Sequence, residues 1–231
     1  YSRALDAELE KGTQIQKEFL PRELPRPAGW DIAACFHAAR QVSGDFYDAF
    51  LLPNGCLAVV IGDVCDKGIG SALFMALIRS LIRVFTGKIS LSGVSISAGD
   101  RPATEAMDVE VGTALGAVTL TSEYIAQEHG DQGMFATLCL GIINPETGEL
   151  AYVNAGHLPL LIIGKSGVRA SLNVTGPSVG MAPGLKFRSA VARIEPGEVL
   201  LGYTDGVTEA LSPDAALYTQ RRFLAFLEKP F

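Results

Sequence analysis

Val60-Ile61-Gly62-Asp63-Val64-Cys65-Asp66-Lys67-Gly68-Ile69-Gly70 is the stretch whose reading decides the fold. The apolar run Leu57 to Ile61 leads into it, and a helix-like run, Ser71 to Phe85, leads out. A buried strand that ends on a carboxylate and turns through glycines into a helix presents that carboxylate at an element's end. Strand ends and loops are where scaffolds hold reacting groups. Immediately upstream, Phe46 to Leu52 reads as a strand, Pro53-Asn54-Gly55 as a turn, and Cys56 to Val64 as the partner strand. The first strand of this antiparallel hairpin begins beside Asp45 and the second ends near Asp63. The two ends of a hairpin lie side by side, so Asp45 and Asp63 are expected to meet from local geometry alone.

Further upstream, Trp30 to Phe36 reads as a strand, and residues 1–20 as a helix with Leu5, Leu9, Ile15 and Phe19 along one stripe. Gly12 weakens that helix by about 1 kcal/mol relative to Ala. Pro21 stops it, and Pro25 and Pro27 keep the next stretch extended. Residues 1–21 either pack on their own domain or form a linker helix from an upstream domain, pairing with a second chain. Downstream, Gly68 to Phe85 is expected to form a helix with Leu73, Ala76, Leu77, Ser80, Leu81 and Val84 on its buried side. Residues 86–104 are polar and read as a loop, and Thr104 caps a second helix reaching Gln127. Strands follow at Met134 to Ile143 and Glu149 to Asn154. Leu158 to Ile163 is expected to pair with Val168 to Leu172, and Lys186 to Ile194 with Val199 to Tyr203 across Glu195-Pro196-Gly197-Glu198. Gln220 to Glu228 reads as a last helix. Two sheets with helices inserted between strand sets make an α+β sandwich of about four layers.

Composition narrows the function. The chain has 231 residues, 48% of them hydrophobic, enough for one large domain with a real core. A net charge of −6 with scattered Lys and Arg argues against nucleic-acid binding. No apolar run approaches the roughly 18 residues that span a bilayer. Cys35, Cys56, Cys65 and Cys139 show no CxxC spacing and read as buried thiols of a reducing compartment.

Asp45 in Ser43-Gly44-Asp45-Phe46-Tyr47-Asp48, Asp63, and Asp205 in Tyr203-Thr204-Asp205-Gly206-Val207 all stand at the ends of apolar strands. Either carboxylate alone reads as a turn or helix cap. Together, with few cations nearby, they point to hard metal ions such as Mg²⁺ or Mn²⁺, which take carboxylate, carbonyl and water oxygens. Two such ions about 3.5–4 Å apart clamp a phosphoryl group for in-line attack. Gly44 and Gly62 would let the backbone approach a metal or phosphate. Asp66-Lys67-Gly68-Ile69-Gly70-Ser71 lacks the GxxxxGK[ST] spacing of a phosphate loop. A serine or cysteine nucleophile lacks an evident base, and His157 reads as structural. A glycosidase pair of carboxylates is disfavoured by one Trp and 8% aromatics.

Five blocks in order carry a family resemblance: Val42-Ser43-Gly44-Asp45-Phe46-Tyr47-Asp48, Gly62-Asp63-Val64-Cys65-Asp66-Lys67-Gly68, Met134-Phe135-Ala136-Thr137-Leu138, Tyr152-Val153-Asn154-Ala155-Gly156-His157-Leu158-Pro159 and Tyr203-Thr204-Asp205-Gly206-Val207-Thr208-Glu209-Ala210. The sequence resembles the SpoIIE/RsbU-type, PP2C-like (PPM) bacterial serine/threonine phosphatases. That resemblance implies a four-layer α-β-β-α sandwich of two antiparallel sheets flanked by helices. It implies a centre of two Mn²⁺ or Mg²⁺ ions, with Asp45, the bridging Asp63, the Val64 carbonyl and Asp205 as ligands and Asp45, Asp63 and Asp205 as the catalytic set. Metal-bound hydroxide would attack phosphoserine or phosphothreonine on a protein, commonly a phosphorylated STAS-domain anti-sigma-factor antagonist in a partner-switching pathway. Residues 1–21, with Ile15-Gln16-Lys17-Glu18-Phe19-Leu20-Pro21, resemble the family's linker helix from an upstream sensor domain, and residues 22–231 the phosphatase domain, in a cytoplasmic protein. Three departures stand out. Ser43 replaces a usual glycine, and Cys65 a common serine. The closing strand with an Asp-Asp pair, a further metal ligand, is not found before Phe231. A chain without that strand would bind metal more weakly and expose a sheet edge that favours a homodimer. It would then serve as a non-catalytic, partner-binding module of phosphatase fold, the alternative to the enzyme.

Overall fold

The computed structural model describes residues 2–38, 41–88 and 106–228. In chain order these form helix α1 (Ser2–Phe19), strands β1 (Phe46–Leu51) and β2 (Leu57–Val64), helices α2 (Ile69–Phe85) and α3 (Ala106–His129), and strands β3 (Ala136–Ile143), β4 (Glu149–Ala155), β5 (Leu160–Gly164), β6 (Gly167–Leu172), β7 (Ala190–Arg193) and β8 (Val199–Leu201). Two further helices, α4 (Asp205–Thr208) and α5 (Gln220–Leu227), follow. All strand pairs are antiparallel. One sheet runs β1-β2-β3-β4-β7 and the other β6-β5-β8.

Strand alternation sorts the core into layers, because successive side chains point to opposite faces. Phe46, Phe50, Ala58, Val60 and Val64 face α2 and α3, meeting Met75, Ile78, Ile82, Ala114, Val118 and Ile125. From the opposite face, Leu57, Val59 and Ile61 join Leu160, Ile162 and Leu200 of the second sheet. The outer face of that sheet, Leu161, Ile163 and Leu201, is covered by Phe223 and Leu227 of α5. The layers are therefore α2/α3, large sheet, small sheet, α5, the four-layer α+β sandwich expected.

One polar pairing interrupts the first interface. Asp48 shares the α2-facing side of β1 with Phe46 and Phe50 and is buried. Arg83 of α2 grips it with two bonds, Nε to Oδ2 at 2.6 Å and Nη2 to Oδ1 at 2.7 Å, while Arg79 approaches Oδ2 at 3.0 Å. The two arginines lie one turn apart on α2 and claim its sheet-facing side, which rotates the helix away from its expected register. Ser71, Met75, Ile78 and Ile82 are buried, whereas Leu73 is 67% exposed.

Four other expectations change. Trp30 to Phe36 forms no strand. It runs as irregular chain pinned by side chains, with Trp30 and Ile32 on the inter-sheet core and the Trp30 indole N–H donating to the Pro145 carbonyl. Residues β7 and β8 are not a hairpin: β7 pairs with β4, β8 with β5, and the turn at Glu195-Pro196-Gly197-Glu198 carries the chain between sheets. On α1 the Ile15 and Phe19 part of the stripe is turned outward, while Gln16, and Leu20 just past the helix, are buried. Of the four free thiols Cys56 and Cys139 are buried, Cys65 is half-buried and Cys35 is exposed. Most of the stretch read as a loop, and Thr104, lie outside the described residues.

Asp48→Ala leaves two partly buried guanidinium groups without their carboxylate, the costly way to break a buried ion pair. It is expected to lower stability by about 3 kcal/mol, measured by urea unfolding, with little change for Glu18→Ala, whose Arg22 partner pair is exposed.

Candidate metal centre

The hairpin holds two of the three carboxylates. Its ladder runs from Leu51↔Leu57 to Phe46↔Gly62, and one further step sets Asp45 opposite Asp63. The turn fixes that register: the Leu52 N–H donates to the Cys56 carbonyl, and Asn54 Oδ1 accepts from the Cys56 N–H. Asp63 continues the row of Val59 and Ile61, so its carboxylate lies on the side of the second sheet.

Asp205 arrives from that second sheet. After β8 the chain passes Gly202, where a Cβ would sit 3.4 Å from Ile61 Cγ2, and then Thr204. Asp205 stands not at a strand end but as the first residue of α4, after the N-cap Thr204, with its carbonyl accepting from the Glu209 N–H. Ligand oxygens of Asp45, Asp63 and Asp205 lie within 4.8 Å of one another. The expected meeting of the three is what the structure shows.

Two glycines set the clearances, in different ways. A Cβ on Gly44 would lie 2.6 Å from the Val64 carbonyl oxygen and 3.2 Å from Asp63 Oδ1. Only glycine lets the chain carrying Asp45 come this close to the end of β2. Gly62 serves packing rather than metal approach, since a Cβ there would collide with the Phe46 ring and the Thr137 carbonyl.

The electrostatics are strained. Burial, then the charges of Asp45 and Asp205, push Asp63 from an ordinary value near 3.8 up to about 7. Burial and then Asp205 also raise Asp45, against hydrogen bonds from Asp63, Ser43 and Thr204. Lys67 pulls Asp63 the other way but is exposed. Three converging hard oxygen donors whose negative charge is undercompensated fit a divalent cation such as Mg²⁺ or Mn²⁺.

His157 has the structural surroundings the sequence suggests. Its N–H of the backbone donates to Asn154 Oδ1 at 2.8 Å, and its Nδ1 lies 3.0 Å from Thr137 Oγ1. Thr137 pairs with Asp63 across the ladder, and its hydroxyl lies 3.5 Å from the Asp63 carbonyl. Burial drives the imidazole down to about 4, opposed by the Tyr203 backbone and Asp205, so it is neutral at pH 7. His157 thus buttresses, through Thr137, the strand that pairs with Asp63. Thr137, Thr204 and Gln16, which bonds Ser43 on both sides, are supports that sequence reading missed. Nothing in periodicity marks them; Thr137 and Thr204 are visible only as members of the recurring blocks.

The pattern of the Stage II sporulation protein E (SpoIIE) family matches residues 53–231. The chain belongs to the SpoIIE family. Protein IcfG of Synechocystis is 49% identical over 97% of this chain and 36% of its own length. RsbU of Bacillus subtilis, named a phosphoserine phosphatase, is 24% identical over 98% of this chain and 58% of its own. The chain therefore spans only part of the curated relatives it matches. Among solved structures, the SiaA PP2C domain of Pseudomonas aeruginosa superposes with a TM-score of 0.69 at 16% identity, over 98% of this chain and 82% of that one. The PP2C phosphatase domain of SpoIIE from Bacillus subtilis, with a fragment of its regulatory domain, gives 0.53 at 18%, over 73% of this chain and 42% of that one. The fold is that of PP2C-type phosphatase domains. Among the described residues no helix is long and apolar enough to cross a membrane.

The raised Asp63 has a stability consequence. Its folded-state value lies above its unfolded value, so folding favours the protonated form. The penalty is absent below about pH 4, grows between pH 4 and 7, and is complete above that. In metal-free buffer at pH 7.5, Asp63→Asn is expected to raise stability by on the order of 2 kcal/mol, a few degrees in Tm. At pH 4 the two proteins should melt together, as followed by circular dichroism.

Proposed function

We propose that this domain is a metal-dependent protein serine/threonine phosphatase. The observation that carries the reading is the meeting of Asp45, Asp63 and Asp205, from the hairpin base and the start of α4, within 4.8 Å on the rim between the two sheets. Two Mn²⁺ or Mg²⁺ ions would be held there. The carboxylates of Asp45, Asp63 and Asp205 would hold them, with the Val64 carbonyl beside Gly44 as a further oxygen. When bound, such ions supply Lewis acidity toward water and toward phosphoryl oxygens. The chain's own residues do the rest. Asp63 is held in the β2 ladder, Asp45 lies one step beyond the last β1–β2 pair, and Asp205 is held by the first turn of α4. Neutral His157 buttresses Thr137, the ladder partner of Asp63, without competing for a proton at pH 7.

RsbU and RsbP of Bacillus subtilis are named phosphoserine phosphatases, and this chain is 24% and 29% identical to them. That supports phosphoserine as the group hydrolysed. The block resemblance extends the reading to a phosphorylated STAS-domain protein as substrate, in a partner-switching pathway controlled by a sensor domain ahead of α1. It extends equally to a cytoplasmic setting.

Phosphate release from a phosphoserine-bearing STAS-domain protein is expected to require Mn²⁺ or Mg²⁺ and to fall at least 100-fold in Asp63→Asn. Equal rates for the two proteins would sink the two-metal reading. If calorimetry shows no heat with millimolar Mn²⁺, the domain is instead a partner-binding module of phosphatase fold.

A further inference from the structure

Asp45 precedes the first residue of β1, so the sheet ladder does not hold it. What holds it is the grip on residues 41–44. On the inner side the Val64 N–H donates to the Gly44 carbonyl at 3.3 Å. The outer side is α1. Gln16 is 5% exposed, a buried polar side chain on a helix whose neighbouring apolar residues Ile15 and Phe19 face outward. Its amide engages a single residue at both ends: Nε2 donates to the Ser43 carbonyl at 2.5 Å, and Oε1 accepts from the Ser43 N–H at 3.1 Å. One turn earlier, Thr13 Oγ1 donates to the Gln41 carbonyl at 2.7 Å. Ser43 in turn accepts from the Asp45 N–H through its Oγ at 3.1 Å.

A side-chain amide paired to one residue's N–H and C=O imitates a neighbouring strand. It fixes both the position and the rotation of the backbone it binds, as a single bond does not. Ser43 is thereby oriented from α1, and Ser43 Oγ orients the peptide of Asp45. We infer that Gln16 is a positioning residue for the Asp45 carboxylate, and that docking of α1 and binding of divalent metal are coupled through the Gln16–Ser43 pair. The inference rests on the metal reading of Asp45, Asp63 and Asp205. By reciprocity, metal that needs Asp45 in place tightens α1 on the domain by the factor that α1 docking tightens metal. A segment that shifts α1 along its axis or turns it would then lower metal affinity without touching the carboxylates.

The test is calorimetric titration of Mn²⁺ into the metal-free chain and into Gln16→Met, Gln16→Ala and Ile15→Ala. Met keeps the length and apolar volume of Gln but forms neither bond. Coupling predicts that Met and Ala both raise the Mn²⁺ dissociation constant about tenfold, with Ile15→Ala within twofold of the parent. A Gln16→Met protein that binds as the parent does overturns the inference and leaves the metal reading intact. A parent that gives no heat with millimolar Mn²⁺ overturns both. Hydrogen exchange on the unmodified chain needs no variant: saturating Mn²⁺ should slow amide exchange in residues 10–19 of α1 as well as around Asp45. Protection at Asp45 with none on α1 rules the coupling out.

Discussion

The register of one hairpin governs the molecule. Because Phe46 pairs with Gly62, Asp45 must face Asp63, and the pleat must send Asp48 toward the helices and Asp63 toward the second sheet. A slip of one residue would exchange those fates, burying the Asp63 carboxylate among Met75 and Ile78 and stripping Arg79 and Arg83 of their partner. The ion pair on one face and the acidic cluster on the other are thus two readouts of the same alignment. Each disfavours the wrong register, over and above what apolar burial contributes.

The site itself opposes folding. Burial, then neighbouring carboxylate charge with inadequate positive charge nearby, raises the proton affinity of Asp45 and Asp63. Such an arrangement persists only because the surrounding structure over-determines it: a tight turn, Gly44 against Val64, His157 against Thr137, and the first turn of α4. Natural folds tolerate local destabilisation where function requires it. A hard divalent cation is the kind of charge that would relieve it.

Much of this was legible in the sequence, and the failures share a cause. The hairpin was readable since alternation, a Pro-Asn-Gly turn and two flanking apolar runs are local signals. So were the helices and the meeting of Asp45 with Asp63. Trp30 to Phe36 has strand composition, yet its aromatic and aliphatic side chains were used as pins on the core rather than as the faces of a strand. The stretches around β7 and β8 looked like a hairpin because nothing local says which sheet a strand joins. On α2 and α1 the apolar stripe misled because buried polar groups, Arg79 with Arg83 and then Gln16, decided which side faced inward. Periodicity counts apolar residues and is blind to a polar side chain whose partner lies far along the chain.

The crossing between β7 and β8 has a bearing on how the chain acquires its shape. The large sheet is finished only by β7, which follows both β5 and β6 of the small one, and the small sheet is finished only by β8, which follows β7. Neither sheet is a contiguous piece of polypeptide. Within the large sheet, β2 must also wait for β3 until α2 and α3 have been made, since Val64 pairs with Ala136. Pairings this distant are slow to close, because loop entropy is spent before contacts accrue. On the ribosome, the β1–β2 hairpin emerges ahead of the other strands and waits with the β2 edge unpaired. The two sheets then form as one cooperative event rather than as separable units, and the centre between them is assembled last.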